Sequence, residues 1–156
     1  MQYLSYVIIV ILILVFVSFN FADTSNELAN YVLRSTYHAD MSHLVANLIS
    51  FYGLSYMETI IGPRQFLSAI IFIWIASSVI LYLIHIMFPS RKVTTVGFSG
   101  VIFGLIVVYY SVLNQGAAIP GLIISIIPQL FATGISFEGH LSGIIAGIIY
   151  VFFFLR

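Results

Sequence analysis

A serine between glycines, a histidine heading a later apolar run and a polar cluster upstream are the residues of this chain equipped for chemistry. The serine stands in Gly97-Phe-Ser99-Gly100 and the histidine in Gly139-His140-Leu-Ser-Gly143. The upstream cluster is His38-Ala-Asp-Met-Ser-His43-Leu-Val-Ala-Asn47. A serine hydroxyl becomes a nucleophile when a base lies beside it. Backbone N–H groups and side-chain amides can hold the negative charge that develops when it attacks a carbonyl. Set in a mostly apolar chain, this combination points to water-dependent chemistry where water is scarce.

Membrane helices must position these groups. The chain has 156 residues, 62% of them hydrophobic and 6% charged, against about 25% charged in soluble domains. It reads as an all-α, polytopic, integral membrane protein: one transmembrane domain over 1–156, without a soluble domain, lying in a lipid bilayer. The formal net charge is zero, so nothing points to nucleic acid. The absence of cysteine excludes disulfides, thiolate metal sites and cysteine nucleophiles. The acids and histidines are scattered without close carboxylate–histidine spacing, so no metal site is expected, and no cofactor is called for.

Hydropathy predicts six spans, a spanning helix needing about 20 mostly apolar residues. The first covers Tyr3 to Ala22 and lacks the positive start and cleavage site of a secretory signal. A polar loop, Asp23 to Asn30, and an amphipathic stretch to Tyr37 follow. The second span, Ala39 to Met57, is unusually polar, and Gly62-Pro63-Arg64 makes a turn after it. The third runs from Phe66 to Phe88, the fourth from Gly97 or Ser99 to Leu113, and the fifth from Ile119 to Ala132. In the fifth, Pro120 suits a helix start and Pro128 predicts a kink. The sixth runs from Gly139 to Leu155. Lys and Arg favour cytoplasmic loops, but Arg64 and Arg156 on one side stand against Arg34, Arg91 and Lys92 on the other. This count opposes cytoplasmic termini.

Each polar residue has a chemical reading and a packing one. His43 and Asn47, four apart, share a helix face. They are either a pair of donors aimed into a cavity or interhelical hydrogen-bonding groups. His38 is expected to point elsewhere and to tie down the preceding loop. Gly-x-Ser-Gly is also a close-packing motif. Yet Ser99 at a helix start has unpaired N–H groups beside it, suited to an oxyanion. Gly139, Gly143 and Gly147 form a small-residue stripe on the sixth span, and Gly100 and Gly104 form one on the fourth. Packing along both stripes brings Ser99 and His140 together. Glu138 faces away from His140, so a Ser–His dyad is expected rather than a triad. Phe103, one turn beyond Ser99, is placed to stack on the imidazole or simply to fill the core.

The ordered set of motifs resembles the rhomboid intramembrane serine proteases, along the whole chain. That family carries His-xxxx-His-xxx-Asn on its second helix, here His38, His43 and Asn47. It carries Gly-x-Ser-Gly opening the fourth, here Gly97, Ser99 and Gly100. A histidine with a glycine stripe lies on the sixth, here His140, Gly143 and Gly147. Glu58 and Gly62 look like the family's structural Glu-xxx-Gly. Ala29 and Asn30 stand where the family often has Trp-Arg, Phe103 replaces a frequent tyrosine, and the first loop is short.

The resemblance implies a six-transmembrane-helix bundle with a cytoplasmic N-terminus. It implies Ser99 as nucleophile, His140 as general base, and His43, Asn47 and the Ser99 N–H as oxyanion donors. The expected activity is cleavage of transmembrane helices of other membrane proteins, with no oligomer required. Thr133–Glu138 is expected to be a lid, with the fifth span admitting substrate sideways. An inactive rhomboid-like protein that binds or retains membrane clients is the alternative, as is a small transporter or channel lined by the second span.

Overall fold

A computed structural model of the chain describes residues 2–18, 23–89, 96–132 and 136–155. The described residues form an all-α bundle. Its helices are α1 (Tyr3–Ser18), α2 (Glu27–Arg34), α3 (Met41–Leu54), α4 (Met57–Ile61), α5 (Pro63–Met87), α6 (Ser99–Val112), α7 (Ile119–Ile126) and α8 (Phe137–Phe154). Short 3₁₀ turns at Gly116–Ala118 and Ile127–Phe131 flank α7. The α3–α4 segment, α5 and α8 are each long and apolar enough to cross a membrane, while α1, α6 and Gly116–Phe131 are shorter apolar segments. Large hydrophobic side chains such as Val17, Ile49, Phe131 and Phe153 face outward, as a helix bundle solvated by lipid requires.

Local chemistry sets the helix limits. Asp40 caps α3, its carboxylate accepting the His43 N–H at 2.8 Å, so the helix starts at Met41 rather than Ala39. Gly62, at φ +81°, makes a turn that an L side chain resists. Pro63 then occupies the first position of α5, where its missing N–H loses nothing. The residues expected to form a stop therefore also form a start. Ser136 caps α8, accepting the Gly139 N–H at 2.9 Å. Pro128 does more than kink the fifth apolar segment. Without an N–H it cannot continue the α-helical ladder, and α7 gives way to a 3₁₀ turn at Ile127.

The stretch expected as a polar loop already holds a helix from Glu27. Asn26 caps α2 by accepting the Ala29 N–H at 3.0 Å. The helix is held against α5 by the Trp74 indole N–H, which donates to Val32 O at 2.9 Å and Ser35 Oγ at 2.5 Å. The Tyr31 hydroxyl meets His85 Nδ1 at 2.8 Å. At the other end of the bundle the buried Glu58 carboxylate accepts from Leu4 N, Ser5 N and Ser5 Oγ at 3.0, 2.9 and 2.7 Å. The two N–H groups are unpaired donors of the first turn of α1, so a buried charge and a helix start satisfy each other.

The bundle's tightest seam joins α6 to α8. A Cβ on Gly143 or Gly147 would run into the carbonyl oxygens of Gly100 and Gly104, and one on Gly100 would stand 3.1 Å from Gly139 O. The two glycine stripes let the backbones touch, as small residues do between membrane helices. Arg91, Lys92, Arg156 and positions 133–135 of the expected lid lie outside the described residues.

Candidate active site

The loop into α6 is built to present Ser99. Gly97 has φ +119°, and a Cβ there would lie 2.5 Å from His43 Cε1 and 2.8 Å from its Nε2. Glycine is thus needed both for the turn and to let the imidazole lie against the backbone. The Gly97 N–H donates to Arg34 O of α2 at 3.1 Å, and the Phe98 N–H reaches His38 Nε2 at 3.5 Å. Phe98 is buried edge-to-face on Phe51, with 5.7 Å between centroids. No side chain caps α6, so its opening N–H groups, starting with that of Ser99, have no intrahelical acceptor.

The glycine seam brings Ser99 and His140 together. Ser99 Oγ and His140 Nε2 are 2.9 Å apart. His140 is buried, and its ring is stacked on Phe103 at 4.2 Å between centroids and 23° from parallel. Its other nitrogen, Nδ1, lies 2.6 Å from Oε1 of Gln129 in the 3₁₀ turn after α7. An amide oxygen only accepts, so Nδ1 carries the hydrogen, and Nε2 offers its lone pair to the serine hydroxyl. Sequence reasoning missed Gln129. The neighbouring Pro128 was the available signal, since the switch to 3₁₀ geometry is what sets the position of the amide.

The upstream cluster divides in two. Asn47 is buried one turn beyond His43, and its Nδ2 donates to His43 O at 2.9 Å, leaving the amide a second N–H. The His43 ring lies beside Gly97. His38 departs from expectation. It packs edge-to-face on His43, with 5.3 Å between centroids, and faces the Phe98 N–H of the serine loop. Burial, with His43 nearby, holds its imidazole down to about 4, so it is a neutral acceptor at ordinary pH. Between α2, α5, α6 and α8 lies a cavity of about 50 Å³, lined by Ser99 and the hydroxyls of Tyr31, Ser35, Ser77, Ser78 and Ser142. Apolar groups such as Leu81, Val96 and Val101 complete the lining, and the space is large enough for water.

Residues 25–156 match the Rhomboid domain family. The chain belongs to the rhomboid family. A protein of Acanthamoeba polyphaga mimivirus named "Putative rhomboid protein" is 54% identical over 99% of this chain and 92% of its own length. "Rhomboid-like protein 14, mitochondrial" of Arabidopsis thaliana is 32% identical over 80% of this chain. An uncharacterized protein of Mycobacterium tuberculosis is 32% identical over 72% of it. This rhomboid spans 43% of the Arabidopsis protein and 53% of the mycobacterial one. No solved structure matches the chain.

Proposed function

We propose that this rhomboid is an intramembrane serine endopeptidase that cleaves transmembrane helices of other membrane proteins. The observation that carries the reading is the 2.9 Å contact between Ser99 Oγ and His140 Nε2 at an uncapped helix start. His140 Nε2 takes the hydroxyl proton as Oγ bonds to the substrate carbonyl carbon. The oxyanion is held by the Ser99 N–H, Asn47 and His43. The imidazolium returns its proton to the departing amine, leaving an acyl-enzyme. Water then adds to the ester carbonyl, giving a proton to His140, and the acid leaves as Ser99 regains its hydrogen. The cavity beside Ser99, with several serines in its wall, is a store for that water. A substrate helix hides its carbonyls in hydrogen bonds and must unwind first, entering beside α7, whose Ile123 and Ile124 face outward.

The test is labelling of the full chain in detergent by a fluorophosphonate, followed by cleavage of transmembrane substrates in vesicles. Labelling that requires both Ser99 and His140 supports the reading. A folded protein that neither labels nor cleaves refutes it and leaves client binding as the function.

A further inference from the structure

We propose that Gln129 is a positioning residue for proton transfer between Ser99 and His140. It works through the Nδ1–H···Oε1 bond, which holds the imidazole in the tautomer that can accept the serine proton. This rests on the reading of Ser99 as nucleophile and His140 as base. The ring is fixed at three places: Oε1 of Gln129 at 2.6 Å on one edge, Ser99 Oγ at 2.9 Å on the other, and Phe103 across one face. Without an acceptor at Nδ1 the ring exchanges tautomers, and the form protonated at Nε2 cannot act as base.

When Oγ bonds to the electrophile, its proton moves to Nε2, and the Nδ1–H stays on Gln129. The positive charge then meets an amide dipole instead of a carboxylate. The other groups around the ring leave that role open. His43 of α3, whose ring lies against Gly97 in the serine loop, is a histidine and offers no carboxylate. From α6 and the Ile127–Phe131 turn come no acid and no amine, and the acid of α8, Glu138, stands two residues from His140 and so on another side of the helix. In α5, Arg64 adjoins Gln65, which bonds Phe154 at the far end of α8, and His85 Nδ1 meets Tyr31. The bond also ties the base to the segment after α7, so displacing that 3₁₀ turn frees the ring.

The experiment measures the rate constant for fluorophosphonate labelling against pH, in which Oγ bonds to phosphorus, fluoride leaves and the proton passes to His140. Wild type, Gln129→Leu and Gln129→Glu are compared in the full chain, with unfolding monitored in parallel. Gln129→Leu is expected to label about ten-fold more slowly while staying folded. Gln129→Glu keeps the acceptor but adds an anion. It favours the imidazolium, so the acid limb of the profile is expected to move up by roughly one pH unit. Labelling by both variants with the wild-type rate and profile overturns the proposal. If the Leu variant does not fold, an unmoved limb in the Glu variant overturns it alone. Wild-type labelling that persists in His140→Ala overturns the dyad reading itself, a result distinct from any effect at position 129.

Discussion

The imidazole of His140 and the benzyl ring of Phe103 lie face to face, 4.2 Å between centroids, one on α8 and the other on α6. The contact closes one face of the ring to rotation and uses only shape and polarisability. An aromatic pair of this kind contributes about 0.5–1.5 kcal/mol beyond its burial. Phe103→Leu is therefore expected to slow acylation of Ser99 by roughly two- to ten-fold, and Phe103→Tyr to leave it near wild type. Second-order labelling constants for the two variants check this.

Asn47 is expected to act on the rate through the oxyanion. Its replacement by alanine should lower turnover of a transmembrane substrate by about 10²–10³, the usual effect of one lost donor. Because Asn47 also bonds His43 O, the variant's melting temperature is measured alongside. A rate loss far exceeding any loss of stability identifies the catalytic contribution.

The α6–α8 seam makes a prediction about glycine alone. Gly143→Ala drives a methyl group into the Gly100 carbonyl and should destabilise the fold by about 1–3 kcal/mol, separating Ser99 from His140 as it does so. Gly53→Ala meets nothing within 4 Å and should be neutral or slightly stabilising, since alanine restricts the unfolded chain. Thermal unfolding of the pair separates close packing from a general sensitivity of glycines.

Much of this arrangement was legible in the sequence, for physical reasons that differ by residue. The meeting of Ser99 and His140 followed from two glycine stripes, because small residues at helical spacing have few uses besides close approach. Helix α2 was harder to see: Glu27–Arg34 is short, and it is held by Trp74 and His85 from α5, contacts with no local signature. Helical spacing separates His38 from His43 and so predicts that it faces the preceding loop. It lies ahead of the Asp40 cap, outside that spacing, and so can face Phe98. Gln129 has no signal beyond the neighbouring Pro128, because an amide gains its meaning only from the atom it meets.

His38 also makes a prediction about pH. Its folded-state value is lowered from 6.5 to about 4 by burial, with His43 adding to the effect. Between those values the unfolded chain binds a proton that the folded chain refuses, so stability falls as the pH drops through that window and levels off below it. His38→Phe is expected to flatten that part of the curve. Unfolding midpoints of wild type and variant across pH 4 to 7, on the scale of those two values, measure the difference.

Trp74 is the sole tryptophan of the chain, and its indole N–H is bonded to α2 at Val32 O and Ser35 Oγ. The same helix, through Arg34 O, holds the backbone of Gly97 two residues before Ser99. Excited at the red edge of its absorption, where the ten tyrosines do not absorb, intrinsic fluorescence therefore originates from one indole, seated where α2 docks. Its emission colour and its quenching by lipids carrying nitroxide or bromine report that docking directly, giving the molecule a native optical gauge of the serine loop's support with no label attached.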